Sequence, residues 1–178
     1  MIHILTGPVH SGKTTLLQRV TDHLKNGNIS VYGYLSLSIQ ESEDFIGYDL
    51  YDIKLETQTP FIRKEGDDHW QRIGAYFFIP ETLDYAQSII LHADKSNICF
   101  IDEVGPLELE GKGVWPALEK AIDLPSPDYV FVVRDTILED WMEILGRSPL
   151  KIFDISDEKL YPKMIEYFAS KELRSRKS

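Results

Sequence analysis

Gly7, Gly12, Lys13 and Thr14 have the types and the spacing of a loop that holds phosphate. The run Gly7-Pro8-Val9-His10-Ser11-Gly12-Lys13-Thr14 fits G-x-x-x-x-G-K-[ST] in full. Such a loop cradles an anion with backbone N–H groups and with the N-terminus of the helix that follows. Glycines at its two ends let the backbone approach the anion without a Cβ in the way. Lys13 is expected to reach the β- and γ-phosphates of a nucleoside triphosphate, and the Thr14 hydroxyl to ligate Mg²⁺. Thr15 is a candidate for the α-phosphate. His10 is unusual inside the loop, at a position that suits positive φ, which His visits more readily than most residues.

A second cluster of chemistry ends the apolar run Asn97-Ile98-Cys99-Phe100-Ile101 with Asp102 and Glu103. An acid at the carboxyl end of a buried strand lies where open α/β sheets bind ligands. Asp102 is expected to hold Mg²⁺ opposite Thr14, and Glu103 to orient and deprotonate an attacking water. A site of this kind needs a cation against transition-state charge. Arg134 is the first candidate, at the end of an apolar run 128–133 that would lie between the other two strands. A surface pair with Asp135 is its plainer reading. Arg63, Arg72 and Arg147 are lesser candidates.

The elements that must position these groups follow from periodicity. Strands are expected at 2–6, 30–38, 46–51, 74–79, 97–102, 128–133 and 150–155. Helices are expected from Lys13 to Asn26-Gly27, after Pro80, over 113–123, over 136–145 with Asp135 as cap and Gly146 as stop, and from Pro162 to about Ser170. Residues 40–44 read as a turn, and 54–72 as a polar, mobile excursion able to close over a nucleotide. Alternating strands and helices predict an α/β, three-layer P-loop NTPase fold with a mostly parallel central sheet and an inserted antiparallel hairpin. One domain is expected over 1–178, with 171–178 a frayed tail.

Composition narrows the setting. The 178 residues are 43% hydrophobic and 27% charged, with one cysteine and a formal charge of −10. That charge disfavours a nucleic-acid partner. The basic terminal residues Lys171, Arg174, Arg176 and Lys177 read as a solvated helix end. No run suits a membrane span and no signal peptide is expected, so the chain reads as cytoplasmic. Cys99 alone permits no internal disulfide, and the five histidines have no metal-ligand spacing. A monomer accords with the sequence, although nothing in it sets the oligomeric state. Without Asn-Lys-x-Asp, guanine selectivity is not expected. Tyr76, Phe77, Phe78, Phe45 and Trp70 are available for base stacking, or for the core.

The run Asp102-Glu103-Val104-Gly105-Pro106-Leu107-Glu108-Leu109 resembles the signature of the THEP-type nucleoside triphosphatases. The opening from Thr6 to Leu16, the Gly33-Tyr34 and Gly47-Tyr48-Asp49-Leu50 segments, Gly74-Ala75-Tyr76 and Val132-Val133-Arg134 are similar in a supporting way. The resemblance implies slow, Mg²⁺-dependent hydrolysis of ATP, GTP and other triphosphates with little base selectivity. Two positions depart from the family: His10 stands where glycine is common, and Asp135 follows Arg134 where a second basic residue is usual. Glu108 reads either as an organiser of the loop after Asp102, or of Lys112, or as a solvent-facing acid. Two rival functions share these motifs. A small kinase would need a second pocket and a cationic lid, and a nucleotide sensor would bind without appreciable turnover.

Overall fold

The structure is a computed structural model describing residues 1–175 except 43, 94–97, 124–126, 147–148 and 150, with side chains described as far as residue 171. The strands are β1 (Ile2–Gly7), β2 (Val31–Glu41), β3 (Asp44–Asp52), β4 (Thr57–Arg63), β5 (Arg72–Ile73), β6 (Tyr76–Phe78), β7 (Ile98–Val104), β8 (Asp128–Arg134) and β9 (Lys151–Asp154). The helices are α1 (Lys13–Asn26), α2 (Pro80–Leu91), α3 (Pro106–Leu109), α4 (Trp115–Ala121), α5 (Leu138–Leu145) and α6 (Leu160–Ser175).

Among the described residues, all nine strands join one sheet in the order β5-β6-β4-β3-β2-β7-β8-β1-β9. On one side of β2 every pairing is parallel, and on the other every pairing is antiparallel. The sheet is therefore mixed rather than mostly parallel. The expected hairpin is present as β2 and β3, but β2 also belongs to the parallel half, pairing Val31 with Ile98 and Tyr34 with Ile101. The polar stretch 54–72, expected as an excursion, supplies β4, which extends the hairpin. Its polar side chains misled because β4 lies in the antiparallel part of the sheet, where one face is free to meet water.

The parallel strands are apolar on both faces because helices cover both. Along β8, Tyr129, Phe131 and Val133 point into one core with Leu83, Ala86 and Ile90 of α2, Leu118 of α4 and Trp141 of α5. Val130 and Val132 point into the other, with Leu17, Val20 and Leu24 of α1 and Met164 and Phe168 of α6. This alternation is the period-2 pleat. Cys99 and Phe100 of β7 divide in the same way, and both are fully buried.

Several boundaries differ from expectation. Asp135 does not cap α5: it opens a 3-10 turn over Asp135–Ile137, its carboxylate accepting the Thr136 N–H at 2.9 Å. Gly146 ends α5 as expected, with φ 59°. The helix expected to stop near Ser170 continues to Ser175, which takes in residues assigned to a frayed tail. Lys171 is held there by Asp128 and lies over the Tyr167 ring, 5.7 Å from its centroid. Arg147, Arg176 and Lys177 lie outside the described residues, as does the side chain of Arg174. Among the described residues, no helix is long and apolar enough to cross a membrane.

Candidate active site

Because β1, β7 and β8 are parallel neighbours, their carboxyl ends open on the same edge of the sheet. β8 lies between the other two, and Arg134 is level with Gly7 in the register. The chain leaves β1 at Gly7, crosses an exposed loop of Pro8, Val9 and His10, and enters α1 at Lys13. His10 has φ 58° and Gly12 has φ 88°, the left-handed turns that bring successive N–H groups to face one way. At Gly7, a Cβ would stand 2.2 Å from Ile155 Cγ2, so β9's exit and the loop's entry require glycine there.

Lys13 is 7% exposed and its Nζ donates to the Gly7 carbonyl at 2.8 Å and to that of Pro8. Ser11 Oγ also donates to Pro8 O, at 2.7 Å. Burial pulls the Lys13 ammonium below its ordinary value, opposed by the carboxylates of Glu103 and Asp102. One cation and two carboxylates thus share a single electrostatic neighbourhood at the start of α1, where the helix dipole also favours an anion.

Asp102 is 2% exposed and is gripped from two sides. The Thr14 hydroxyl hydrogen-bonds its carboxylate. The Ser36 N–H of β2 donates to Oδ2 at 3.3 Å, while the Ser36 hydroxyl donates to the Asp102 carbonyl. Burial pushes the Asp102 carboxyl up to about 7, against the pull of the Thr14 and Ser36 hydrogen bonds. Glu103, next along β7, is a quarter exposed and pairs with Arg134, whose Nε and Nη2 both donate to it. Arg134 therefore pairs with Glu103 rather than with Asp135. Its hydrogen bond to Glu103 raises the guanidinium above its usual range.

A cavity of about 320 Å³ lies over the loop, lined by residues 9–15 together with Gln18, Ser36, Leu37, Ser38, Tyr48, Asp102 and Glu103. Val9, His10, Ser11, Gly12, Lys13, Thr14 and Thr15 thus come together with both acids. Arg134 borders a second cavity instead, on the far side of Glu103. Among the described residues there is no group of three His, Cys, Asp or Glu side chains placed to hold a metal ion. A cation beside Thr14 and Asp102 would therefore complete its shell from phosphate oxygens and water. That is the hard-oxygen chemistry Mg²⁺ prefers, so the residues present fit it.

Ser36 of β2 and Tyr48 of β3 also line this cavity, and the sequence analysis gave neither a role there. Ser36 comes to it because β2 lies against β7, and Tyr48 because β3 in turn pairs with β2, setting Tyr48 level with Ser38. Glu108, left open between two readings, is 5% exposed and organises the loop. It accepts the Gly105 N–H at 2.8 Å and the Val114 N–H at 3.0 Å, while Lys112 turns to Glu110. Burial lifts the Glu108 carboxyl to about 7 against those two hydrogen bonds. None of the aromatics offered for base stacking lines the phosphate-loop cavity. Tyr76 and Phe78 face the second cavity, Phe45 packs on Tyr48 and Tyr76, and Phe77 lies under the Arg72 guanidinium. Trp70 flanks Gly66 beside Phe77. Arg63 is tied to Asp49 and to the Tyr48 carbonyl within the hairpin.

The chain belongs to the NTPase family, whose profile matches residues 2–161. It is similar to Nucleoside-triphosphatase THEP1 of Methanopyrus kandleri, 31% identical over 133 residues that span 74% of this chain and 72% of that one. The protein of the same name from Thermofilum pendens is 26% identical over 156 residues, 86% of this chain and 85% of that one. The solution structure of a human cancer-related nucleoside triphosphatase has the same fold. Its TM-score is 0.73 at 23% identity, covering 94% of this chain and 95% of that one. The family resemblance carried by residues 102–109 agrees with these matches.

Proposed function

We propose that this chain hydrolyses nucleoside 5′-triphosphates to diphosphate and inorganic phosphate, with Mg²⁺ and with weak base selectivity. The observation that carries the reading is the meeting of Lys13, Thr14, Asp102 and Glu103 in one cavity at the carboxyl ends of β1 and β7. The names of the relatives point the same way. In this reading the chain is a single three-layer P-loop NTPase domain. Its acidic balance and lone buried Cys99 suit a cytoplasmic enzyme without a nucleic-acid partner.

The loop from Gly7 through Gly12 holds the phosphates with its N–H groups, and Lys13 turns from its carbonyl partners to the β- and γ-oxygens. Thr15 takes the α-phosphate. Thr14 and Asp102 hold Mg²⁺, which supplies charge neutralisation when bound. Ser36 fixes the Asp102 carboxylate in place. Glu103 aligns a water and takes its proton as the oxygen attacks the γ-phosphorus. Arg134, released in part from Glu103, faces the charge that develops on the transferring group. None of the five aromatics offered for base stacking lines the loop cavity, whose rings are His10 and Tyr48, and this accords with loose selectivity.

The test is phosphate release from ATP, GTP, CTP and UTP, with Mg²⁺ and with a chelator, by wild type and Glu103→Gln. Release from several triphosphates that needs Mg²⁺ and disappears in the variant, with nucleotide binding retained, supports the reading. Near-normal release by Glu103→Gln removes Glu103 from the role of base. Binding without any release moves the chain to the nucleotide sensors.

A further inference from the structure

Beyond Glu103 the site does not end in solvent. A second cavity, about 510 Å³, adjoins the phosphate-loop cavity and shares Ser36, Tyr48 and Glu103 with it. Its volume falls within the range of small-molecule sites, about 300–1,000 Å³. It touches Arg134 and Gly105 but no residue of the phosphate loop, so it lies on the side of the acids. Its walls are aromatic: Tyr34, Tyr48, Phe61, Tyr76 and Phe78 surround it. Several of these rings hold each other edge-to-face, Phe61 lying 6.0 Å from Tyr34 and 5.1 Å from Phe78 between centroids. The pinned Glu108 loop supplies another wall through Gly105, Leu107 and Val114, and Ile62, Ile73 and Ala75 add to the rest.

The charges around this cavity are engaged. Arg134 pairs with Glu103, Glu108 is held by two backbone N–H groups, and Glu110 pairs with Lys112. Arg72 sits exposed at the rim, its Nε on the Gly74 carbonyl and its guanidinium 5.2 Å from the Phe77 ring centroid. Among the described residues, a charged ligand would find its buried counter-charges, Glu108 and the Arg134–Glu103 pair, already held by other partners, whereas an uncharged planar ring meets aromatic faces on several sides. Where the two cavities join, the polar groups are the Ser36 hydroxyl, the Tyr48 hydroxyl and the Glu103 carboxylate.

From this juxtaposition we infer that the second cavity binds an uncharged aromatic or heterocyclic alcohol, whose hydroxyl replaces water as acceptor of the γ-phosphoryl group. The inference rests on the hydrolytic reading of the neighbouring site and extends it to phosphotransfer. The hydroxyl oxygen forms a bond to the γ-phosphorus as the bond from that phosphorus to the β,γ-bridging oxygen breaks. The electron pair leaves with the nucleoside diphosphate, the hydroxyl proton passes to Glu103, and the product is a phosphate monoester. Hydrolysis is then the reaction of the same centre when water occupies the junction.

Benzyl alcohol is the probe, the simplest planar ring with a primary hydroxyl. Wild type is incubated with Mg²⁺ and ATP labelled in the γ-phosphate over a series of alcohol concentrations, and benzyl phosphate and inorganic phosphate are counted in the same tube. The expected result is benzyl phosphate that saturates with alcohol, and an ester-to-phosphate ratio at least tenfold lower in Ile62→Trp, which fills the cavity. Ala75→Trp, at the exposed rim, is expected to lower the ratio likewise and serves if Ile62→Trp does not fold. Inorganic phosphate without ester overturns the acceptor role and leaves hydrolysis standing. Ester that rises without saturation, equally in the blocked variants, is attack from bulk solvent and overturns the site. No phosphate on either acceptor overturns the hydrolytic reading and this one with it.

Discussion

Replacing Arg134 with alanine separates what the Arg134–Glu103 pair does for the fold from what it does for the reaction. The guanidinium is 31% exposed and the carboxylate 26%, so water screens the pair. Its loss should cost about 0.5–1 kcal/mol of stability. For a chain of this size that is a fall in Tm of roughly 1–4 °C. The effect on turnover should be larger. Lys13 and Arg134 are the cations that bear on the two acids, and removing one preorganised charge from a phosphoryl-transfer site costs about 10²–10³ in rate. This is roughly 2.7–4 kcal/mol of barrier. Phosphate release at saturating ATP, measured beside a thermal melt, reads both quantities. Arg134→Lys should recover part of the rate, because a lysine restores the charge without the two-point hold on Glu103. A kcat within threefold of wild type at unchanged Tm would refute the reasoning. A Tm loss above about 8 °C would show the pair to be chiefly structural.

Two further outcomes follow from buried groups. The Glu108 carboxyl is lifted from 4.5 to about 7 in the fold, so between those values the native state binds the extra proton and stability falls as pH rises. In Glu108→Gln that decline is missing: its deficit against wild type in urea melts should be largest near pH 5 and shrink by up to about 3 kcal/mol near pH 8. Deficits that stay constant across that range contradict the shift. Gly33 has φ 108° and its Cβ would stand 1.8 Å from the Phe100 carbonyl oxygen, whereas a Cβ on Gly146, at φ 59°, meets nothing within 4 Å. Gly33→Ala should therefore cost about 3 kcal/mol or more and Gly146→Ala about 1 kcal/mol. Equal losses in denaturant melts would show that the close approach of β2 to β7 is not what constrains Gly33.

What could be read from the sequence was whatever is local. Gly7 to Thr14 announces itself by spacing, and the helix after it by Leu16, Leu17, Val20 and Leu24, all of which are buried. The apolar runs ending at Asp102 and Arg134 gave strands in the right order, with C-terminal ends within two residues of those observed, because strands covered on both faces leave no polar alternation to misread. The half of the sheet beyond β2 was harder. β4 carries Gln58, Thr59 and Pro60, a composition that suits a loop equally well, and its place depends on pairing with β3. The site shows the same division. Lys13, Thr14, Asp102 and Glu103 sit inside motifs, whereas Ser36 and Tyr48 reach the site only through contacts between strands remote in the chain. The plainer reading of Arg134, a surface pair with Asp135, fails for that reason too. Asp135 is next to it in sequence, but Glu103 is next to it in space.

The position of β2, parallel to β7 on one edge and antiparallel to β3 on the other, bears on how the chain is born. The β2–β3 hairpin joins residues that leave the ribosome together and can pair at once. β1 must wait for β8, and the phosphate loop it carries has neither Asp102 nor Arg134 beside it until most of the polypeptide has been made. Closing such distant segments is the slow part of folding. The nascent protein should thus acquire a nucleotide-competent centre late and in one step, as β7 and β8 slot between β2 and β1. A nucleotide analogue present during synthesis is expected to speed that closing step rather than the hairpin.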